Sequence, residues 1–138
     1  MMEFEVVEKL TNEQIRCLHQ LYQKEWWTKE RKWSEVQRMV ENSDITIGLC
    51  ELQTKELVAF TRVLTDYVYK ALILDVIVKE SYRGKKLGRI LMDSVLHHPL
   101  LKDVMHFELY CRPEMIPFYQ KWGFTEELGE LYFMRKTR

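Results

Sequence analysis

Apolar and polar positions change period several times along this chain, and the changes mark its elements. "EFEVVEKL" near the start alternates as a strand does. Thr11 and Gln14 stand at capping-box spacing, and Ile15, Leu18, Leu21 and Tyr22 then recur on one helical face. "WWTKER" interrupts that face. Ser34 with Gln37 reads as a second capping box, opening a short helix that buries Val36, Met39 and Val40. Three strand-like segments follow, "ITIGLCELQ", "LVAFTRVL" and "ALILDVIV", joined by "TKE" and "TDYVYK", which suits consecutive antiparallel hairpins.

Leu87, Ile90, Leu91 and Val95 then give a helix its buried stripe, and Pro99 stops it. "MHFELYC" predicts another strand. "PEMIPFYQKW" predicts a short helix beginning near Ile116, because Pro117 is tolerated only in a first turn, and Gly123 is placed as its C-terminal cap. "ELYFMRK" predicts a final strand. The order β-α-α-β-β-β-α-β-α-β describes one α/β domain over residues 1–138, of the α+β type, with a largely antiparallel sheet. No linker, repeat or low-complexity segment divides it.

Composition narrows the function classes. Lys plus Arg and Asp plus Glu both number 21, and this neutral balance argues against a general nucleic-acid binder. No apolar run approaches the ~20 residues of a membrane helix, and "MMEFEVVEKL" lacks the character of a secretory signal. Cys17, Cys50 and Cys111 are odd in number and scattered, which predicts reduced thiols in the cytoplasm. The four histidines show no metal-ligand spacing, so no metal is expected.

One stretch departs from ordinary composition. Between Arg83 and Arg89 lie four cations and two glycines, directly before a helical pattern and after a strand. The first turn of a helix offers unpaired N–H groups and the positive end of its dipole. Glycine lets an anion approach the backbone, and Arg83, Lys85, Lys86 and Arg89 add charge at the same point. The combination is a phosphate-binding device. Its spacing matches neither the Walker pattern nor the dinucleotide fingerprint.

"VIVKESYRGKKLGRIL" resembles the R/Q-x-x-G-x-G/A acetyl-CoA signature of the GNAT superfamily of N-acetyltransferases, with Arg83 first and Gly88 last. The late "FYQKWGF" resembles the same family's F-Y-x-x-x-G-F element, and the likeness extends over nearly the whole chain. Two departures accompany it: Lys86 stands where the signature has its first glycine, and Arg112 where the family often has Asn.

The resemblance implies a GNAT-like fold with about four helices around the sheet, acetyl-CoA as co-substrate, and direct attack by an amine in a ternary complex. It implies that the backbone of Val76, Ile77 and Val78 pairs with the pantetheine arm. Gly84, Lys85, Lys86, Leu87, Gly88 and Arg89 would surround the pyrophosphate with Arg83, and Arg112 would touch the cofactor. Tyr119 matches the position that gives a proton to the departing sulfur. For a base, the strands offer two carboxylates, Asp75 and Glu108, with a water relay as the alternative.

Acceptor choice is expected in "KEWWTKERKW". Adjacent Trp26 and Trp27 cannot both face the core, so one lines an acceptor pocket, with Tyr110 a further wall, or both pack over the sheet edge. The leading expectation is transfer of an acetyl group to the primary amine of a small molecule such as an arylalkylamine. Acetylation of a protein or peptide, and a non-catalytic acyl-CoA sensor, are the alternatives. No nucleic-acid or membrane partner is expected. A late exposed strand and aromatic surface invite pairing into a homodimer.

Overall fold

The computed structural model describes residues 3–138. Five strands form one sheet in the order β1 (Phe4–Val7), β2 (Ile45–Glu51), β3 (Leu57–Thr65), β4 (Lys70–Val78) and β5 (His106–Glu108). β1 to β4 pair antiparallel, and β5 joins β4 in parallel. The helices are α1 (Asn12–Gln23), α2 (Trp33–Glu41), α3 (Leu87–Leu96) and α4 (Ile116–Gln120). No helix among the described residues is long and apolar enough to cross a membrane.

Local chemistry sets the helix ends. The Thr11 hydroxyl accepts the Gln14 N–H at 3.2 Å and the Gln14 amide oxygen accepts the Thr11 N–H at 2.9 Å, which closes the expected box on α1. α2 starts one residue before Ser34: its N-cap is Lys32, whose N–H donates to the Glu35 carboxylate at 3.0 Å. Pro117 lies in the first turn of α4, where its missing N–H costs no helical bond.

Apolar burial divides between two faces. Ile15, Leu18, Leu21 and Tyr22 of α1 and Val36 of α2 pack with Cys50, Phe60 and Ile77. Leu87, Leu91, Met92 and Val95 of α3 pack with Ile45, Ile47, Leu49 and Ile73, and Tyr119 of α4 joins them. Alternation assigns the β2 residues to the two faces as period two requires, while β3 slips by one residue at Val58, where Leu49 pairs with Ala59 and Cys50 with Leu57. β4 also breaks the rule. Ile73 and Ile77 share parity yet lie in opposite clusters.

The cause is a bulge. Phe60 pairs with Ile77 and Arg62 with Leu74, so two steps along β3 match three along β4. Asp75 takes up the extra residue at φ 55, in the left-handed region. The Thr61 hydroxyl donates to the Leu74 carbonyl at 2.8 Å and braces the bend.

Two expected strands come out differently. "MHFELYC" contributes only His106–Glu108 to the sheet. The run expected as a last strand carries no ladder, and Leu131, Tyr132, Phe133 and Met134 are 66–88% exposed. Phe133 of this run meets Tyr110, with ring centroids 5.4 Å apart.

Candidate functional site

The β4–β5 ladder ends at Leu72 and Glu108, although β4 runs on to Val78. Past that point the two chains part, and the β4 edge loses its neighbour on that side. A cleft of about 1200 Å³ occupies the gap. Ile73, Leu74, Leu109 and Tyr110 line it next to the last paired residues. Val76, Ile77 and Val78 lead away from there to the cation-rich loop.

That loop joins β4 to α3, and two of its residues take left-handed backbone. Lys86 is the N-cap of α3 at φ 65, so a lysine adopts the left-handed geometry that glycine takes most easily. Gly84 at φ 82 supplies the other left-handed residue. The amides of Leu87, Gly88 and Arg89 form the first turn of α3 and have no carbonyl within the helix to meet. At Gly88 a side chain would stand 3.2 Å from Phe118 Cζ, so the position has no room for one without displacing that ring.

Arg83, Gly84, Lys86, Leu87, Gly88 and Arg89 all line the cleft. Lys85 does not. Arg83 Nε donates to the Val78 carbonyl at 3.2 Å, and its guanidinium also pairs with Glu25, tying the loop of residues 83–89 to the segment after α1. Arg112 lines the cleft with its guanidinium 4.8 Å from the Trp26 ring centroid. Trp26, Trp27 and Tyr110 line it too, 65%, 40% and 52% exposed.

Tyr119 reaches the cleft from α4 with its ring against Phe118 and Phe124. The residue is 7% exposed. Burial, with the neighbouring Cys111, pushes its pKa up to about 12. The phenol therefore keeps its proton at neutral pH.

The two carboxylates expected as bases fare differently from that expectation. Glu108 is outside the cleft, half exposed and paired with Lys70 Nζ at 3.0 Å. Asp75 borders the cleft, but its oxygens are taken. They accept from Arg31 Nη1 at 2.7 Å and Nη2 at 3.2 Å, from Arg62 Nε at 2.8 Å and from the Tyr22 hydroxyl at 3.0 Å. Burial alone would raise its pKa; the hydrogen bonds and charges of Arg31 and Arg62 outweigh it and hold the carboxyl below the usual range. A carboxylate so held is a weak base. The same burial and the charge of Asp75 push the Tyr22 phenol well above its ordinary value.

Sequence reading missed Arg31, Arg62 and Tyr22 as a group, and also Glu25 and Cys111 in the cleft. The signal for Arg31 was present in "TKERKW", but nothing in a linear pattern links residue 31 to residue 75. Among the described residues, no group of three or more His, Cys, Asp or Glu side chains is placed to hold a metal ion.

Comparison with known proteins agrees with this geometry. Residues 7–124 match the acetyltransferase (GNAT) family. The chain belongs to that family, a class that uses acetyl-CoA as acyl donor. It is 34% identical over 112 residues to an uncharacterized N-acetyltransferase, ycf52-like, of Prochlorococcus marinus, covering 80% of this chain and 62% of that one. It is 27% identical over 111 residues to the chloroplastic GCN5-related N-acetyltransferase 1 of Arabidopsis thaliana, covering 78% of this chain and 56% of that protein. The chain thus spans less than two thirds of the length of both. A crystal structure described as an acetyltransferase of the GNAT family from Xanthomonas campestris is 30% identical, covers 94% of each chain and superposes with a TM-score of 0.73.

Proposed function

We propose that this chain acetylates the primary amine of a small molecule, with acetyl-CoA and acceptor bound together. The observation that carries the reading is the continuity of one cleft, from the α3 N-terminus along the unpaired β4 edge to Tyr119. The residues fit the donor: amides of Leu87, Gly88 and Arg89 with the cations Arg83, Lys86 and Arg89 suit a diphosphate. The peptide groups of Val76–Val78 suit an extended amide chain lying beside them as a further strand would.

Acetyl-CoA, when bound, supplies an acetyl thioester whose C–S bond breaks as the amine forms its C–N bond. The amine attacks only when neutral, and it gives up one proton in the reaction. Tyr119 Oη holds a proton that can pass to the leaving sulfur. A β4 amide facing the cleft stabilises charge on the carbonyl oxygen. With Asp75 held by two guanidinium groups and Glu108 elsewhere, the proton of the acceptor leaves to water.

Trp26, Trp27 and Tyr110 support a small acceptor, because three aromatic walls enclose a body of few atoms more closely than a polypeptide. The free thiols Cys17, Cys50 and Cys111 support a reducing, cytoplasmic setting. The test is release of CoA thiol across a panel of small amines and of peptides, each with acetyl-CoA. Amine-dependent release supports the reading. Release with peptides alone, or none at all, contradicts it.

A further inference from the structure

Besides the cations of the loop of residues 83–89, Arg31 and Arg135 line the cleft. With the donor's phosphates at the loop of residues 83–89, the reacting end lies toward the other end of the cleft, where β4 and β5 part. Arg31 stands there through its bond to Asp75. Arg135 stands there through Tyr110, its guanidinium 5.1 Å from the ring centroid.

Asp75 cannot neutralise this end, because its single carboxylate already serves both Arg31 and Arg62. The other acidic residue lining the cleft, Glu25, is paired with Arg83 beside the phosphate loop. Two formal positive charges are left over among Arg31, Arg62, Asp75 and Arg135. An acceptor offering nothing but an ammonium group meets repulsion.

Arg31 is also half used. Its Nη1 and Nη2 form the end-on fork that holds Asp75. The side edge of the same guanidinium, Nε–H with the outer Nη2–H, has no protein acceptor among the described residues. The side chain is 30% exposed and lines the cleft. A guanidinium edge of this kind matches two oxygens of a carboxylate or phosphate, an arrangement that specifies geometry as well as charge.

We propose that the acceptor carries an anionic group, carboxylate or phosphate, besides its primary amine, and that Arg31 receives that group on its free edge with Arg135 supporting. The inference rests on the acetyltransferase reading and narrows its substrate class. It displaces simple arylalkylamines, whose rings suit Trp27 and Tyr110 but which bring no partner for Arg31.

The experiment is calorimetric titration of CoA-loaded protein with matched acetylated products. N-acetyltyrosine is compared with N-acetyltyramine for the carboxylate, and N-acetylated phosphoethanolamine with N-acetylethanolamine for the phosphate. The anionic member of one pair or both should bind at least about tenfold more tightly, the range of a charge-assisted bond. Arg31→Lys keeps the charge but loses the fork, and should cut that preference to about threefold or less. Acetyl-CoA affinity of the variant, within about twofold of the parent, reports that the donor half is intact. Arg135→Met, at an exposed position, should weaken the anionic product alone and gives a second reading independent of the Asp75 cluster.

Equal or tighter binding of both neutral members overturns the inference, as does failure of every product to bind. Retention of the full preference in both variants overturns the assignment to Arg31. Loss of acetyl-CoA binding by the parent protein is a different failure, because it removes the acetyltransferase reading itself.

Discussion

Arg31 and Asp75 are joined by two hydrogen bonds, 2.7 and 3.2 Å long, that tie the segment between α1 and α2 to the bulge of β4. Arg62 from β3 and Tyr22 from α1 meet the same carboxylate. One side chain thus holds together the elements on either side of the cleft wall, at the residue where β4 reverses its faces. That arrangement makes Asp75 a structural anchor of the site.

Removing the anchor should be costly. Asp75→Asn keeps a residue that tolerates positive φ but leaves two guanidinium groups without their counter-charge, and denaturant unfolding should show a loss of about 3 kcal/mol. The pH dependence follows from the sign of the shift. The folded carboxyl is held below its unfolded value, so its contribution is present above about pH 4 and disappears as pH falls through the folded pKa. The variant should lack that part of the acid limb. Unchanged stability in Asp75→Asn would exclude the anchoring role.

Without a carboxylate base in the cleft, neutral acceptor must come from solution. kcat/KM should then rise about tenfold per pH unit below the acceptor pKa, near 10 for an alkylamine, with no inflection between pH 4 and 7. Glu108→Gln should leave the profile within about twofold of the parent. A plateau beginning near pH 6 that disappears in Glu108→Gln would restore that residue as base.

Tyr119→Phe retains the ring packing against Phe118 and Phe124 and removes one proton. kcat should fall by about a hundredfold, the lower range of general acid catalysis, while acetyl-CoA affinity stays within about twofold. Because the phenol titrates only near pH 12, the parent rate should show no descending limb below about pH 11. Equal turnover by the two proteins would assign the sulfur's proton to water.

Lys86 carries opposing effects. Its left-handed backbone costs about 1 kcal/mol that glycine avoids, while glycine loses about as much to unfolded-state entropy, so Lys86→Gly should change stability by less than about 1 kcal/mol. Lys86 lines the cleft at the N-cap of α3. Acetyl-CoA affinity should fall severalfold at low salt, with less loss at high salt. Equal affinity at every salt concentration would remove the ammonium from the phosphate contacts.

Much of this was legible in the sequence because it is local. The Thr11–Gln14 box, the α3 stripe and the loop between β4 and α3 depend on residues within a few positions of one another, while Tyr119 was singled out by the resemblance of "FYQKWGF". The Asp75 cluster was not legible, because its partners are 13, 44 and 53 residues away. Parity failed at the same place: the bulge adds one residue, so alternation read outward from Val76 misplaces Ile73. The final "ELYFMRK" has strand composition, but composition alone supplies no ladder, and the three-residue β5 leaves it little edge to join.

The account depends most directly on the grip of the Arg83–Arg89 loop and the β4 edge on acetyl-CoA. Calorimetric titration of the folded protein should show one site per chain, weakened by added salt and competed by CoA, and weakened severalfold again in Arg89→Ala. No detectable binding by folded protein, or binding indifferent to salt and to Arg89→Ala, would contradict it.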